Sequence, residues 1–194
     1  NWLRQCSGQN IVEANFCEIE PGRISGYVFQ DGPEIRAAFG RIPENLHEIR
    51  DGLRTPDDKP IEGVKIRLIL PDGKPAPTSL ALPGFYTGEF IEAVTNELGY
   101  FEFVGLPPGL YHLFQSHPAD YFDSIDTPGS TGGFVLENQG DVDRMLADLG
   151  DDAGQLSQYP PEQLLDAIFA VMLMPGKHSI ENNFSEVIIR PEIP

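Results

Sequence analysis

Short runs of alternating apolar and polar residues, each closed by a Gly/Pro turn, restrict this chain to β-structure. In RISGYVFQ (residues 23–30), Ile24, Gly26 and Val28 share one face, and Tyr27 and Phe29 share the other. In EGVKIRLIL (62–70), Val64, Ile66, Leu68 and Leu70 point one way while Lys65 and Arg67 point to water, and PDG then ends the run. Successive strand side chains face opposite ways, so this period of two specifies half-buried sheet. FIEAVTNELGYFEFVGLPPG (90–109) reads as a hairpin, with one strand to about Thr95, a turn at 96–99 and a strand from Tyr100 to Val104. LYHLFQ (110–115) follows the LPPG turn as a further strand, and AIFAVML (167–173) and NNFSEVII (182–189), split by PGKH, supply two more. With 18 Pro and 20 Gly among 194 residues, turns are frequent and long helices few. The expected class is all-β, a sandwich or barrel.

Two stretches break the rhythm. Residues 32–51 carry Ile35, Ala38, Phe39 and Ile42 at helical spacing. Residues 138–166 hold DVDRMLADLG, a short helix capped by Asp141 and ended by Gly150, and YPPEQLLDAI, a second helix started by its prolines. Both read as partly helical insertions packed on the rim of the sheets. The acids Asp141, Asp143, Asp148, Asp151 and Asp152 lack the spacing of a calcium loop and read as caps and a solvated face.

A formal net charge of −17 argues against nucleic acid or an anionic membrane as partner, since both need basic patches. It favours solubility and divalent cations. No apolar run is long enough to span a bilayer, so no membrane insertion is expected in this segment. The first residue is Asn, which reads as a mature or excised piece of something longer. Cys6 and Cys17 fit either a local disulfide in an oxidising compartment or two free thiols.

GRISGYVFQDG, PIEGVKIRLI, TNELGYFEFVGLPPGLYHLFQSHPADYFDS and IENNFSE occur here in the order that resembles the SdrD B-like repeats of bacterial surface proteins, relatives of the Cna B-type and prealbumin-like (Ig-like) modules. The resemblance spans residues 22–188 apart from the two insertions. It implies a prealbumin-like β-sandwich over residues 21–194. EANFCEI (13–19) and ENNFSEV (181–187) share one pattern, and in that family such a strand closes a repeat. Residues 1–20 are therefore expected to be the terminal strand and linker of a preceding module.

The resemblance further implies calcium in the loop after the first strand, where Asp31, Asp51 and Asp58 match acidic positions; the insertion at 32–51 and Thr55 depart from the pattern. Cna B-type relatives join a first-strand Lys to a last-strand Asn with the help of a buried acid. Here Asn182 and Asn183 are present, but RISGYVF has no Lys and Gln115 stands where the Glu would be, so no such bond is expected. Asn183 is expected to serve as a hydrogen-bonding residue at a strand end.

The histidines His47, His112, His117 and His178 are scattered without zinc spacing, and no nucleophile elbow or phosphate-binding glycine pattern occurs, so catalysis is not expected. Trp2, Tyr86, Tyr121 and Phe122 are candidate exposed aromatics. TSLALPGFYTGEF (78–90) is the candidate contact surface, or else a cover for a sheet edge. The expected function is a structural or adhesive module of a repetitive extracellular or cell-surface protein. Its partners would be neighbouring modules of the same chain and other surface proteins or glycans. The alternative is a carbohydrate- or protein-binding module.

Overall fold

The computed structural model describes residues 18–37 and 41–191. The chain opens with β1 (Gly22–Gln30), β2 (Ile35–Ala37), α1 (Leu46–Ile49), β3 (Lys59–Pro60) and β4 (Lys65–Ile69). Then come β5 (Glu92–Val94), β6 (Tyr100–Leu106), β7 (Gly109–Gln115) and β8 (Phe122–Asp123). Helices α2 (Gln139–Leu149) and α3 (Pro161–Leu165) precede β9 (Ala167–Leu173), β10 (His178–Ser179), β11 (Phe184–Val187) and β12 (Ile189–Pro191).

These strands form an all-β sandwich. One sheet centres on β1, with β6 and β3 antiparallel to it, β10 and β11 parallel to it, and β8 beyond β11. The other runs β5-β4-β7-β9. The alternation read from sequence fills the space between them: Ile24, Val28, Phe101, Phe103 and Phe184 from the first sheet meet Ile66, Leu68, Leu113, Ile168 and Val171 from the second. Tyr27 lies on the opposite face of β1, against Tyr100.

The 90–109 stretch is not a hairpin. Asn96 turns the chain as expected, its side chain accepting from the Leu98 and Tyr100 amides, but β5 pairs with β4 while β6 pairs with β1. The turn carries the chain from one sheet to the other. The Pro107–Pro108 reversal does so again, with the Tyr111 hydroxyl donating to the Pro107 carbonyl at 2.7 Å. The 78–90 segment covers an edge: the Leu82 amide bonds the Gly105 carbonyl, and the Tyr86 hydroxyl both donates to and accepts from the Val104 backbone. Leu82 and Phe85 remain exposed on it.

The insertions also differ from expectation. Ile35–Ala37 is a strand paired in parallel with β12 rather than a helical turn, because Ile35 packs with Val187 and Ile189. Helix is confined to α1 among the described residues of this insertion. In the second insertion the cap of α2 is Asn138, whose side chain accepts from the Asp141 amide at 3.2 Å, while Asp141 reaches back to Asn138. Gly150 and the prolines end α2 and start α3 as expected. This insertion covers the outer face of a sheet, more than its rim. Val142, Leu156 and Leu164 pack on Ile69, Phe114 and Phe169 as a second core. Cys6, Cys17, Trp2 and most of the first EANFCEI copy lie outside the described residues.

The C-terminal stretch is fastened along β1 by two asparagines. Asn183 Oδ1 accepts the Tyr27 amide at 3.0 Å, and its Nδ2 donates to Glu181. Asn182 Nδ2 donates to the Ser25 carbonyl, and its Oδ1 accepts the Gly129 amide. Both amides are thus hydrogen-bonding groups. Gly26 permits the approach, since a Cβ there would stand 1.6 Å from the Asn182 carbonyl oxygen. Gly26→Ala should therefore destabilise the protein by about 3 kcal/mol in urea unfolding. Gly63→Ala, with open space around it, should cost only about 1 kcal/mol for its left-handed backbone.

Candidate functional site

At one end of the sandwich the strand pattern turns acidic residues inward. Phe184 and Glu186 alternate on β11, so Glu186 follows Phe184 towards the opposite sheet and is fully buried. There it meets Gln115, which shares the inward face of β7 with Tyr111 and Leu113 and donates Nε2–H to Glu186 Oε1. Across the ladder Glu186 stands directly opposite Asp123 of β8, a like-charge pairing that sheets normally avoid. Asp126 follows in the next turn, its Oδ1 accepting the Ser185 amide at 3.0 Å. Asp166, the residue before β9, completes the group and is buried.

His117 stands at the rim. Its Nε2 lies 3.0 Å from the Tyr121 carbonyl, which can only accept, so Nε2 carries a hydrogen. Nδ1 therefore faces the acids, 3.1 Å from Asp166 Oδ2 and 3.7 Å from Glu186 Oε2.

Burial and mutual repulsion set the protonation of this group. Burial, then the nearby Asp166, pushes Glu186 up to about 9. The same two causes push Asp123 up to about 8. Burial raises Asp126 as well, reinforced by Asp123, Asp166 and Glu186. The hydrogen bond with Asp166 lifts His117 to about 9, while Asp166 itself is raised by burial. The His117–Asp166 contact, 3.1 Å long, thus favours the protonated imidazole.

Both insertions roof this cluster. A cavity of 780 Å³ has Asp123, Asp126, Asp166 and His117 on its floor, Leu46 and His47 from the first insertion, and Gln163 and Leu165 from the second. The floor is acidic and much of the wall apolar, an arrangement suited to holding a cation or a polar group under cover.

The predicted loop site lies elsewhere. Asp31 Oδ2 accepts the Gly52 amide at 3.0 Å, Asp51 accepts the Leu53 amide, and Asp58 accepts the Gly32 and Thr55 amides. These carboxylates brace the loop backbone; among the described residues, the acidic groups whose oxygens converge within 4.8 Å are those of the cluster. Of the candidate aromatics, Phe122 borders the cavity, while Tyr86 is tied to β6. His112 is buried, pushed down to about 4 by burial, and accepts the Ala170 amide at a bulge in β9. Sequence reasoning missed the cluster. The inward phase of Glu186 on β11 and of Gln115 on β7 is the signal that could have found it.

No protein-family model and no curated protein matches this sequence. Among solved structures, the minor pilin GBS52 of Streptococcus agalactiae is similar at 13% identity and a TM-score of 0.42, over 91% of this chain and 48% of that one. The major pilin SpaD of Corynebacterium diphtheriae is similar at 10% identity and a TM-score of 0.34, over 90% of this chain and 33% of that one. The chain thus spans about half of the first pilin and a third of the second.

The raised acids and His117 bind protons in the fold that the unfolded chain has released, across a window from about pH 4 to 9. Their contribution to stability is present at the acid end of that window and is lost as pH rises through the folded values. Chelator-treated protein should melt about 5–10 °C lower at pH 8.5 than at pH 5. Glu186→Gln should flatten that slope. Asp72 and Glu92, lowered by lysine and arginine partners, lose their contribution only at more acidic pH.

Proposed function

We propose that this chain is a non-catalytic structural module of an extracellular or cell-surface protein, a rigid spacer that passes tension between neighbouring modules. The observation that carries this reading is the parallel pairing of the first strand with the last ones. Arg23 and Ile24 pair with His178 and Ser179 of β10, and Val28 to Gln30 pair with Phe184 to Glu186 of β11. The chain enters β1 at one end of the sheet and leaves β11 at the other. A pull on the two ends therefore shears these ladders, and their hydrogen bonds must fail together rather than one by one. The Asn182 and Asn183 side chains add bonds across the same seam.

Neighbouring modules of the same chain, or other surface proteins, are the partners such a spacer would have. A second reading, a module that binds a carbohydrate or protein ligand, rests on a different feature, the 780 Å³ cavity roofed by both insertions. A glycan array separates the two, since a pure spacer gives no selective signal.

Single-molecule pulling tests the spacer reading. Unfolding force should be markedly higher when the molecule is held near residues 20 and 190 than when held at the adjacent ends of β1 and β11, near residues 31 and 188. Equal forces in the two geometries would contradict it. The quantity compared is governed by the unfolding barrier rather than by equilibrium stability.

A further inference from the structure

The acid cluster holds more unpartnered oxygen than its protein neighbours satisfy. Seven buried side-chain polar atoms among the described residues lack a hydrogen-bond partner, and six of them are here. They are Gln115 Oε1, Asp123 Oδ1, Ser124 Oγ, Asp126 Oδ2, Asp166 Oδ1 and Glu186 Oε2. Gln115, Asp126, Asp166 and Glu186 are each at least 94% buried, since their exposures are 2%, 6%, 3% and 0%. Buried polar atoms are ordinarily paired, and buried charges are ordinarily paired or bound to a metal. Six orphans in one place mark a missing partner. A cation, which accepts electron pairs from oxygen, suits the five of the six that are carbonyl or carboxyl oxygens.

The geometry fits a cation. Ligand atoms of Asp123, Asp126 and Asp166 lie within 4.8 Å of one another, as do those of His117, Asp166 and Glu186. Divalent ions bound by oxygen at about 2.0–2.6 Å bring their ligands to such separations. Asp166 belongs to both sets. His117 is held as metal-ligating histidines are, its Nε2–H given to the Tyr121 carbonyl so that Nδ1 faces the acids. Gln115 is fixed by its bond to Glu186, which leaves its carbonyl oxygen free.

We propose that the floor of this cavity is a divalent-cation site centred on Asp166, taking a hard cation of the calcium, magnesium and manganese class. Oxygen atoms dominate the ligand set, which selects that class over softer metals. Asp123 and Asp126 supply oxygens from β8 and the turn after it, Glu186 from β11, and His117 a nitrogen from the loop after β7. A cation here ties both sheets together at the end that the two insertions cover. It also relieves the cross-strand opposition of Asp123 and Glu186.

The test uses chelator-stripped protein at pH 7.5, melted with added calcium, magnesium, manganese or zinc, together with metal counting by mass spectrometry. At a hundredfold excess over Kd, at least one of the three hard cations should raise Tm by about 5–10 °C. Asp166→Asn should abolish that rise, whatever its metal-free melting temperature, because the shift on adding metal is the quantity compared. Asp58→Asn, in the separate loop braced by backbone amides, should keep the full rise. No shift with any of the three, a response to zinc alone, or a rise lost in Asp58→Asn but kept in Asp166→Asn would overturn the proposal.

Discussion

The hydrogen-bonded seam between β1 and the C-terminal strands is the constraint on which the rest of this molecule depends. β1 is paired on both of its edges, to β6 and β3 on one and to β10 and β11 on the other. Such a strand has no exposed ladder, and it can be completed only when the last part of the chain has arrived. Two side-chain amides, from Asn182 and Asn183, fasten the gap between β10 and β11, and Gly26 is required because the backbone at Asn182 passes where any side chain would sit. Non-local pairing of this kind makes the whole sandwich close as one unit.

That closure also determines where the acids go. Once Phe184 is seated against Phe101 in the core, the strand period sends Glu186 inward two residues later, with no freedom to turn it out. β8 then places Asp123 opposite it, and the entry to β9 delivers Asp166. A well-packed apolar core on one side and an undersatisfied acidic floor on the other are products of the same register. Sites of this kind, where local chemistry contradicts the logic of a stable fold, are where function concentrates.

The sheets were legible because their signal is local. Ile24, Gly26 and Val28, or Ile66 and Leu68, announce their faces within a few residues, and the Asn96 and Pro107–Pro108 turns announce reversals. Which sheet a strand joins after a turn is a matter of tertiary packing, so β5 and β6 read as a hairpin although they lie in different sheets. Ile35 looked helical by spacing and is a strand, because Val187 and Ile189 offer it a partner more than 150 residues away in sequence. The acid cluster was least legible. Asp123, Asp126, Asp166 and Glu186 are spread over 64 residues of an acidic chain, and each alone looks like a turn or surface carboxylate. Asp31, Asp51 and Asp58 match a loop pattern in sequence, and in the fold they brace backbone amides.

Native-state hydrogen exchange tests the central claim most directly, that the C-terminal strands are integral to the fold and held as firmly as the central ones. The Tyr27 amide, bonded to Asn183 Oδ1, and the Asp31 amide, bonded to the Glu186 carbonyl, report the seam, while the amides of β6 report the opposite edge of β1. The account predicts that both sets exchange only through global unfolding, with the same opening free energy and the same denaturant dependence. Seam amides that open at distinctly lower free energy, while β6 stays protected, would contradict it.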